Sequence, residues 1–455
     1  MLAAALHTRP AGLDEALALV DGLDDALLHG LARLDETRAA HLTALAAAFA
    51  ESPLAGPVAD ATGKIIAGTV TDQHLAALAG ARSALLGAAH DILLAGVDAA
   101  LGRVREPWSA APVPAAPGRP LAAGRSWLRE LAIAGWRGVG TEVAASGAQA
   151  VQALLADPSA RRLAVLLDGF AAELRATAPV AALTPVPVRR WADLWARALL
   201  LCQDGFATTE AVAVDGRLLI LGVDLHEHPT VFRAQVHGLL ETRGGGVRLV
   251  RASMAAAKVD TITGPSAWRM LAAFPLLRAA LAGHRAVEVS GMPLTPGGDL
   301  IWHEARAAPG EPADPFATAR VRLGAAIASS APPLDRHPVA IAEPVLLEGY
   351  RATAESFDLG GTTLAVDVSR LPAAGPLTPA LVAASTACLG LLRWDGGRWS
   401  VQPLAVQAVI GKKAVAVHTG DWALGPTEAK AAKAEAAAGT AVDVLRERAG
   451  RLLRK

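Results

Sequence analysis

The chain has 455 residues, 52% of them hydrophobic, and a formal net charge of zero. This length and composition are sufficient for two or three hydrophobic cores and exclude general disorder. Because positive and negative charges balance, no long-range field would draw the whole chain to nucleic acid or to an anionic membrane. Any such contact would have to be local.

The cysteines and the termini narrow the class of protein further. Cys202 and Cys388 are the only cysteines and lie far apart, which excludes a disulfide scaffold and a thiolate zinc site. The first twelve residues are apolar before they are basic, the reverse of a secretory signal. The uncharged stretch 372–392 contains prolines and a glycine that would interrupt a membrane-spanning helix. The sequence therefore predicts a soluble cytoplasmic protein, and its Ala-, Gly-, Pro- and Arg-rich composition is typical of a GC-rich bacterium.

The N-terminal part of the chain is predicted to be helical. Leucine and alanine recur at three- and four-residue spacing through residues 1–105, and the same pattern returns in 126–205. The intervening residues, 106–125, contain five prolines and almost no periodicity, which is typical of a linker. We therefore predict two helical regions joined by a Pro-rich linker.

The last predicted helix of this part has the sequence VRRWADLWARALLL, residues 188–201. On a helix, Trp191 and Trp195 share one face and Arg190 and Arg197 flank it. Large apolar stripes at helical spacing usually pack, so we interpret the indoles as core or domain-seam residues. The alternative is an exposed interface formed by Arg190, Trp191, Trp195 and Arg197, since Trp and Arg are enriched in interface hot spots.

The pattern changes to short apolar runs separated by turn residues in 206–425. Four hairpins are predicted there, with turns at Asp215-Gly216, at 295–298, at Gly360-Gly361 and at 395–397. One helix, 265–283, is predicted to interrupt the strands, and a C-terminal helix is predicted over 426–455. The fold class is therefore α+β: an N-terminal all-helical region, then an antiparallel β-rich domain, then a C-terminal helix.

A histidine-rich stretch, GVDLHEHPTVFRAQVHG, is the best candidate for a metal site. Alternation along a strand places His226 and His228 on the same side, and a hairpin near Pro229 could return His237 to their vicinity. With Asp224, these side chains could bring imidazoles and a carboxylate to one divalent metal. A polar turn whose histidines bind backbone groups or face water explains the stretch equally well, so no cofactor is predicted outright.

The catalytic motifs that we sought all fail at a specific position. Ala307 stands where a zincin helix needs its second histidine, Val143 where a dinucleotide loop needs its third glycine, and Val406 where a phosphate loop needs its first. A Gly-x-Ser-x-Gly nucleophile elbow does not occur in the sequence. We therefore predict no catalytic residues.

The stretch RWDGGRW, with Trp394 and Trp399, is the nearest approach to a nucleic-acid-binding surface. Aromatic side chains next to arginines on strands can stack on bases, but cross-strand packing of the same residues around a hairpin is an equally good explanation.

Two stretches, RRWADLWARALLL and LGVDLHEHP, resemble segments of uncharacterised actinobacterial proteins. Those proteins are encoded beside MoxR-type AAA ATPases, von Willebrand A-domain proteins and SWIM zinc-finger proteins. The resemblance covers about 25 residues and implies an accessory partner in a chaperone-like complex. This chain lacks the Walker, metal-adhesion and SWIM cysteine motifs, so it is none of those three components, and no functional residue can be carried over.

We therefore expect a non-enzymatic accessory or scaffold protein that acts through protein–protein contacts, with an AAA ATPase or an A-domain protein as its partner. Two alternatives remain open. One is a metal-dependent enzyme that uses His226, His228 and His237. The other is a nucleic-acid-binding module built on the Trp394/Trp399 hairpin.

Overall fold

The computed structural model describes residues 2–109, 121–157, 160–203, 211–353, 355–410 and 413–427, with isolated positions between 429 and 451. Helices occupy the first part of the chain and two sheets, mostly antiparallel, occupy the rest. This confirms the predicted α+β class. The predicted C-terminal helix, 426–455, lies largely outside the described residues.

Most of the helical region packs around one hydrophobic core. Its helices are α1 Leu2–His7, α2 Leu13–His29, α3 Glu36–Ala48, α4 Ala55–Ile66, α5 Asp72–Leu101, α6 Ala122–Ala134, α7 Thr141–Leu155, α8 Arg161–Thr177 and α9 Val188–Leu201. Helix α1 and the C-terminal half of α5 pack instead against the second of the two sheets. Leu27, Leu78, Leu131 and Leu167 belong to the same buried cluster. Helices on both sides of the predicted linker therefore share a core instead of forming two separate ones.

Helix α5 is the longest in the described chain and lies at the centre of this region. Thr71 caps it by accepting a hydrogen bond from the backbone N–H of His74. By length and composition alone α5 could cross a membrane. Of its 18-residue apolar stretch, 39% is buried inside the protein. Arg82, in the middle of the helix, is fully buried and binds the Asp24 carboxylate through two hydrogen bonds of 2.7 and 3.0 Å. This ion pair fixes α5 against α2.

Strands β1 to β5 close into a first barrel. They are β1 Val212–Glu227, β2 Val231–Thr242, β3 Val247–Ala257, β4 Arg285–Leu294 and β5 Asp299–Leu300. Strand β1 pairs with both β2 and β4, β3 pairs in parallel with β5, and β5 pairs with β4, which completes the ring. Helix α10, Pro275–Ala282, connects β3 to β4. Strand β6, Ala307–Pro312, extends the sheet at β4.

The second sheet has the same connectivity. Its strands are β7 Glu343–Glu348, β8 Arg351–Ala352, β9 Ser356–Asp358, β10 Thr363–Val366, β11 Ser385–Asp395, β12 Arg398–Ile410 and β13 Lys413–His418. Strands β7 and β8 together play the part of β1, because β7 pairs with β11 and β8 pairs with β9. Strand β10 pairs in parallel with β12, and helix α12, Pro379–Ala383, precedes β11. Strand β13 adds to β12.

Both rings therefore have the connectivity of the OB-fold, a five-stranded Greek-key barrel. In each ring the first strand pairs with the second and the fourth, and the third runs parallel to the fifth. The described β-rich part is thus two barrels in tandem. Phe232 belongs to the core of the first barrel, whereas Phe357 of the second barrel belongs to a cluster that also includes Leu6 of α1 and Leu93 of α5.

An apolar layer joins the two barrels. Leu219, Leu221 and Leu239 on the outer face of the first barrel belong to one buried cluster with Leu389 and Ala405 of the second. Helix α11, Pro315–Arg322, contributes Phe316 to the same cluster. The residues between α11 and β7, 323–342, form a connecting segment that also runs along the helical region. Its Ala328 exchanges backbone hydrogen bonds with Val104 and Glu106.

The hairpin predicted at Asp215-Gly216 is wrong. Strand β1 continues through these residues, and the register with β4 shifts between Val214 and Gly216, which marks a bulge. The other three predicted hairpins are present, joining β4 to β5, β9 to β10 and β11 to β12. The predicted helix 265–283 is divided at Pro275 into a 3-10 helix, Gly264–Leu271, and α10.

Candidate functional site

The outer face of the first barrel has an apolar half and a polar half. The apolar half is covered by the second barrel, as described above. Side chains alternate between the two faces of β2. Ala234 and Val236 point into the barrel core, so the outer face carries Arg233, Gln235 and His237. Their neighbours across the sheet on β3 include Arg251, opposite His237, and Ser253, opposite Gln235. The polar half is therefore a compact patch on β2 and β3.

A cleft of about 370 Å³ opens over this patch. Three parts of the molecule form it. The helical region contributes His90, Leu94 and Arg197, and Arg105 follows α5; the first barrel contributes the β2–β3 patch and the β4–β5 turn; the connecting segment and the start of β7 close the remaining side. Its volume falls within the range of small-ligand pockets, which often lie at domain interfaces.

Two of the arginines that line the cleft are paired with carboxylates of the protein itself. Arg105 binds both carboxylate oxygens of Asp98, at 2.7 and 3.0 Å, and lies 3.0 Å from a Glu343 oxygen. Arg251 lies 3.0 Å from both carboxylate oxygens of Asp299 and donates to the Gly297 carbonyl at 2.8 Å. These two guanidinium groups hold the walls of the cleft together, so their charge is neutralised by the protein itself.

The acidic side chains of the cleft are paired in the same way. Glu343 also accepts a 2.8 Å hydrogen bond from Arg103, and the arginine charges hold its pKa below the usual range although burial acts in the opposite direction. Asp335 accepts from Arg162 at 3.1 Å and lies 3.6 Å from Arg197.

Three side chains in the cleft have hydrogen-bonding or ion-pairing groups that the described residues leave unused. Arg233 is exposed and makes one hydrogen bond, to the Ser253 hydroxyl at 3.2 Å, and no described carboxylate pairs with it. His237 is 1% exposed and its Nε2 has no hydrogen-bond partner among the described residues. Ser329 lines the opposite wall, and its Oγ is also buried without a partner there. Buried unpaired polar atoms are uncommon and call for an explanation.

His237 is neutral at physiological pH. Burial lowers its pKa to about 3, and the nearby Asp224 carboxylate offsets only part of this effect. A neutral imidazole offers one N–H donor and one nitrogen acceptor. His237 can therefore contribute a hydrogen bond in the cleft but no positive charge.

A buried polar network joins the two barrels beside the cleft. Asp224 accepts hydrogen bonds of 2.7 Å from Arg393 and from Gln402 of the second barrel, and a 2.8 Å bond from His226 Nε2. Although burial acts in the opposite direction, these partners hold the pKa of Asp224 well below its usual range. Asp224 therefore carries a full negative charge at neutral pH.

Three of the four metal candidates, Asp224, His226 and His228, line a second cleft of about 450 Å³, whereas His237 lines the first. Asp224 and His226 contact each other, whereas His228 binds the Thr230 hydroxyl at 3.0 Å within the β1–β2 turn. His237 pairs with Gly222, four residues from His226 along β1, which corresponds to about 13 Å. Among the residues that the structure describes, no group of three or more His, Cys, Asp or Glu side chains is arranged to hold a metal ion.

The interface candidates are likewise separated. Trp191 and Trp195 are fully buried, and their indole N–H groups donate to Glu173 at 3.1 Å and to the Leu128 carbonyl at 2.9 Å. They are core residues, so an exposed Trp–Arg anchor does not exist in the folded protein. Arg190 is exposed and binds Glu173, whereas Arg197 lines the cleft. The amphipathic stripe of α9 buries the indoles and leaves the arginines at its edges.

The Trp394/Trp399 hairpin is also closed to stacking partners. The two residues face each other across β11 and β12, and their rings pack edge to face at a centroid distance of 5.3 Å. They are 5% and 7% exposed within the core of the second barrel. A base could reach these indoles only if this packing, which includes Leu6 of α1, were disrupted.

Sequence reasoning missed most of the cleft. It singled out His237 and Arg197 and predicted the turn at 295–298, but it marked neither Arg251 nor Ser329 and did not place that turn beside a site. These residues meet only because β3 pairs with β5 and the connecting segment returns to the helical region. A local pattern carries no signal for either contact.

A second histidine cluster lies between the barrels. His284 Nε2 and Asp421 Oδ1 are 2.8 Å apart, and the backbone N–H of His418 donates to the other oxygen of Asp421 at 2.9 Å. The centroids of the two imidazole rings are 4.3 Å apart. His418 Nε2 is buried and has no hydrogen-bond partner in the described chain. The hydrogen bond to Asp421 raises the pKa of His284, whereas burial lowers that of His418 to about 4.

Comparison with known proteins finds no family model, no curated protein and no solved structure that matches this chain. The likeness of the two barrels to the OB-fold therefore rests on strand pairing alone.

Proposed function

We propose that this chain is a non-enzymatic accessory protein that acts by binding, and that its binding site is the cleft between the helical region and the first barrel. The observation that supports this most directly is the set of polar groups in the cleft, Arg233, His237 Nε2 and Ser329 Oγ, whose hydrogen-bonding capacity is unused by the described protein. The proposed partner is a MoxR-type AAA ATPase or a von Willebrand A-domain protein, as the sequence resemblance implies.

The chemistry of the cleft favours recognition over catalysis. A general base works best with a pKa near the operating pH, and that of His237 is about 3. Ser329 has no described hydrogen-bond partner that could take its proton. Arg105 and Arg251 are held by carboxylates of the protein itself. What remains is a set of polar groups suited to holding a ligand in place.

The position of the cleft on the fold also supports binding. OB-fold barrels commonly take their ligands on the face of strands 2 and 3 and on the loops between strands 1 and 2 and between strands 4 and 5. The cleft lies on β2 and β3 and reaches the β4–β5 turn, through Gly297, Gly298 and Asp299.

The proposal takes the chain to be a soluble cytoplasmic bacterial protein. Helix α5, the apolar helix long enough to span a bilayer, carries the buried Arg82–Asp24 ion pair and packs against several helices of the core. Arginine at the centre of a lipid-facing helix would be costly. The burial of this charged side chain against α2 therefore favours a soluble core helix.

The test is affinity purification of the full chain and two variants from the native bacterium at low salt. Gln235→Trp would fill the cleft, whereas Val231→Trp adds the same bulk at an exposed position on β2 outside it. We expect an AAA ATPase or A-domain protein to be recovered in stoichiometric amount with the natural chain and with Val231→Trp, and to be lost with Gln235→Trp. Recovery of the natural chain alone, or a partner retained by Gln235→Trp, would contradict the proposal.

A further inference from the structure

We infer that the group bound in the cleft is a compact oxyanion, a carboxylate or a phosphate, and that Arg233 is the residue that recognises it. This inference rests on the proposed binding function and adds the chemistry of the ligand. It follows from the charge balance of the cleft, from its hydrogen-bonding groups and from its size.

The charge balance leaves one guanidinium without a counter-ion. Glu343 is matched by Arg103 and Arg105, Asp299 by Arg251, and Asp335 by Arg162 and Arg197. Arg233 lines the same cleft and has no carboxylate partner among the described residues. The carboxylates already present are therefore occupied, and the free positive charge is available to an anion from outside.

The groups beside Arg233 can donate hydrogen bonds to such an anion. Gln235 lies two residues along the same face of β2 and has an amide NH₂. Ser329, which also lines the cleft, has a hydroxyl whose hydrogen can rotate about the Cβ–Oγ bond, and its Oγ is unpaired among the described residues. A planar guanidinium flanked by neutral donors matches the geometry of carboxylate and phosphate oxygens.

Size and composition argue against a large ligand and against stacked bases in the cleft. A volume of about 370 Å³ holds a single side chain, chain end or small molecule. No Trp, Tyr or Phe is present among the described residues that line it, so it offers no stacking surface for bases. A compact oxyanion of this size has two sources, an acidic group on a protein partner and a phosphate.

Calorimetric titration of the full chain distinguishes these sources. One arm uses inorganic phosphate, and the other uses a short peptide that ends in two glutamates, both at constant ionic strength. We expect at least one arm to show binding at one site per chain, because the free guanidinium supplies a charge-assisted hydrogen bond. Binding of the peptide alone assigns the site to a protein carboxylate, and binding of phosphate alone assigns it to a phosphate ligand.

The matched variants are Arg233→Gln and Arg243→Gln. Arg233 is exposed, so its replacement should leave the fold intact, and Arg243 is an exposed arginine in the β2–β3 turn outside the cleft. We expect Arg233→Gln to weaken binding about 10- to 100-fold, the loss typical of a hydrogen bond to a charged group, and Arg243→Gln to leave it unchanged. Equal affinities for the natural chain and Arg233→Gln, or no binding in either arm, would overturn the inference.

The proposed function and this inference can fail separately. If Gln235→Trp abolishes recovery of the partner but neither oxyanion binds, the cleft is a protein-contact site for another kind of group, and only the inference is wrong. If an oxyanion binds but no partner is recovered, the site is an anion site and the accessory role is wrong.

Discussion

Asp224 brings a full negative charge into the interface between the two barrels. Its carboxylate is 2% exposed and is held by Arg393 and Gln402 from the other side. A buried pair of this kind adds little net stability compared with apolar packing, but the loss of one partner strands the other charge away from water. Asp224 is therefore a residue at which a minimal change should have a large effect.

We expect Asp224→Asn to lower the free energy of unfolding by about 3 to 5 kcal/mol, because Arg393 would be left charged and buried without its counter-ion. Urea denaturation followed by circular dichroism measures this change. Asp395→Asn is the control, since Asp395 is exposed in the β11–β12 turn and should cost less than about 0.5 kcal/mol. Similar losses of unfolding free energy for the two variants would show that the buried ion pair is no more important for stability than an exposed carboxylate.

At the same scale, the sequence identified polar residues more readily than it identified their partners. Asp224 and His226 stand two apart on one strand, so the side that they share followed from alternation. That Asp224 meets Arg393 depends on how two barrels pack, and residues 169 positions apart leave no local trace of such a contact. For the same reason, a histidine-rich stretch that suggests a metal cluster is in fact spread along β1, β2 and their turn.

Strand β1 shows why turn signals can mislead. Asp-Gly between two alternating runs is a strong hairpin signal, but here it is the site of a bulge. Gly216 pairs with β2 and β4 at once, and a β-carbon on it would lie 2.2 Å from the Glu241 carbonyl oxygen. Glycine is needed for close approach of strands, because the first strand of the barrel must bend between two partners.

The same local signals succeeded where the partner strand was the next one along the chain. The turns at 295–298, 360–361 and 395–397 all connect neighbouring strands. Trp394 and Trp399, which flank the last of them, meet across it as predicted for a cross-strand pair. Local sequence therefore predicted hairpins well, but ring closure through β1 and β4 is a long-range contact that it could not predict.

We expect Gly216→Ala to destabilise the first barrel by several kcal/mol, since the atom that the methyl group would meet belongs to the backbone and cannot move aside. Gly80→Ala is the matched control, because Gly80 is helical and a β-carbon added to it would have nothing within 4 Å. That change should stabilise the protein by up to about 1 kcal/mol through helix propensity. Thermal unfolding of the two variants compares them directly, and a stable Gly216→Ala protein would refute the close approach.

Over the whole molecule, buried neutral histidines lie where its parts meet. His237 faces the cleft, His418 lies between the barrels, and His337 in the connecting segment is 3.9 Å from Asp193 of α9. Burial lowers their pKa values to about 3, about 4 and about 4, respectively. As the pH falls, these histidines take up protons near pH 6.5 in the unfolded chain. In the folded chain they do so only near pH 3 to 4.

We therefore expect stability to be fully present above about pH 6.5 and to fall between about pH 6.5 and pH 4, as the unfolded state takes up more protons than the folded state. Each histidine contributes a slope of up to about 1.4 kcal/mol per pH unit. Below about pH 6.5 His284 offsets little of this loss, because it is protonated in the folded state, where the hydrogen bond to Asp421 raises its pKa, and mostly protonated in the unfolded state, where its pKa is about 6.5. Its own contribution is lost as the pH rises through its folded pKa.

Denaturant unfolding at pH 7, 6 and 5 measures this slope. His337→Asn keeps an acceptor for the Val339 N–H but removes one titrating group, and it should reduce the slope by about one proton. A stability that is independent of pH over this range would mean that these histidines are protonated or solvated in the folded protein.

The walls of the cleft extend along the chain from His90 to Pro344. During synthesis the helical core could close once α9 has emerged, but the first barrel needs β4 and β5, and Glu343 arrives later still. The pocket therefore comes into being only after nearly all of its supporting elements have been translated and docked. A partner that recognises it would ignore nascent chains that end before β7, so occupancy of the cleft would select for molecules whose helical region, first barrel and connecting segment have already folded together.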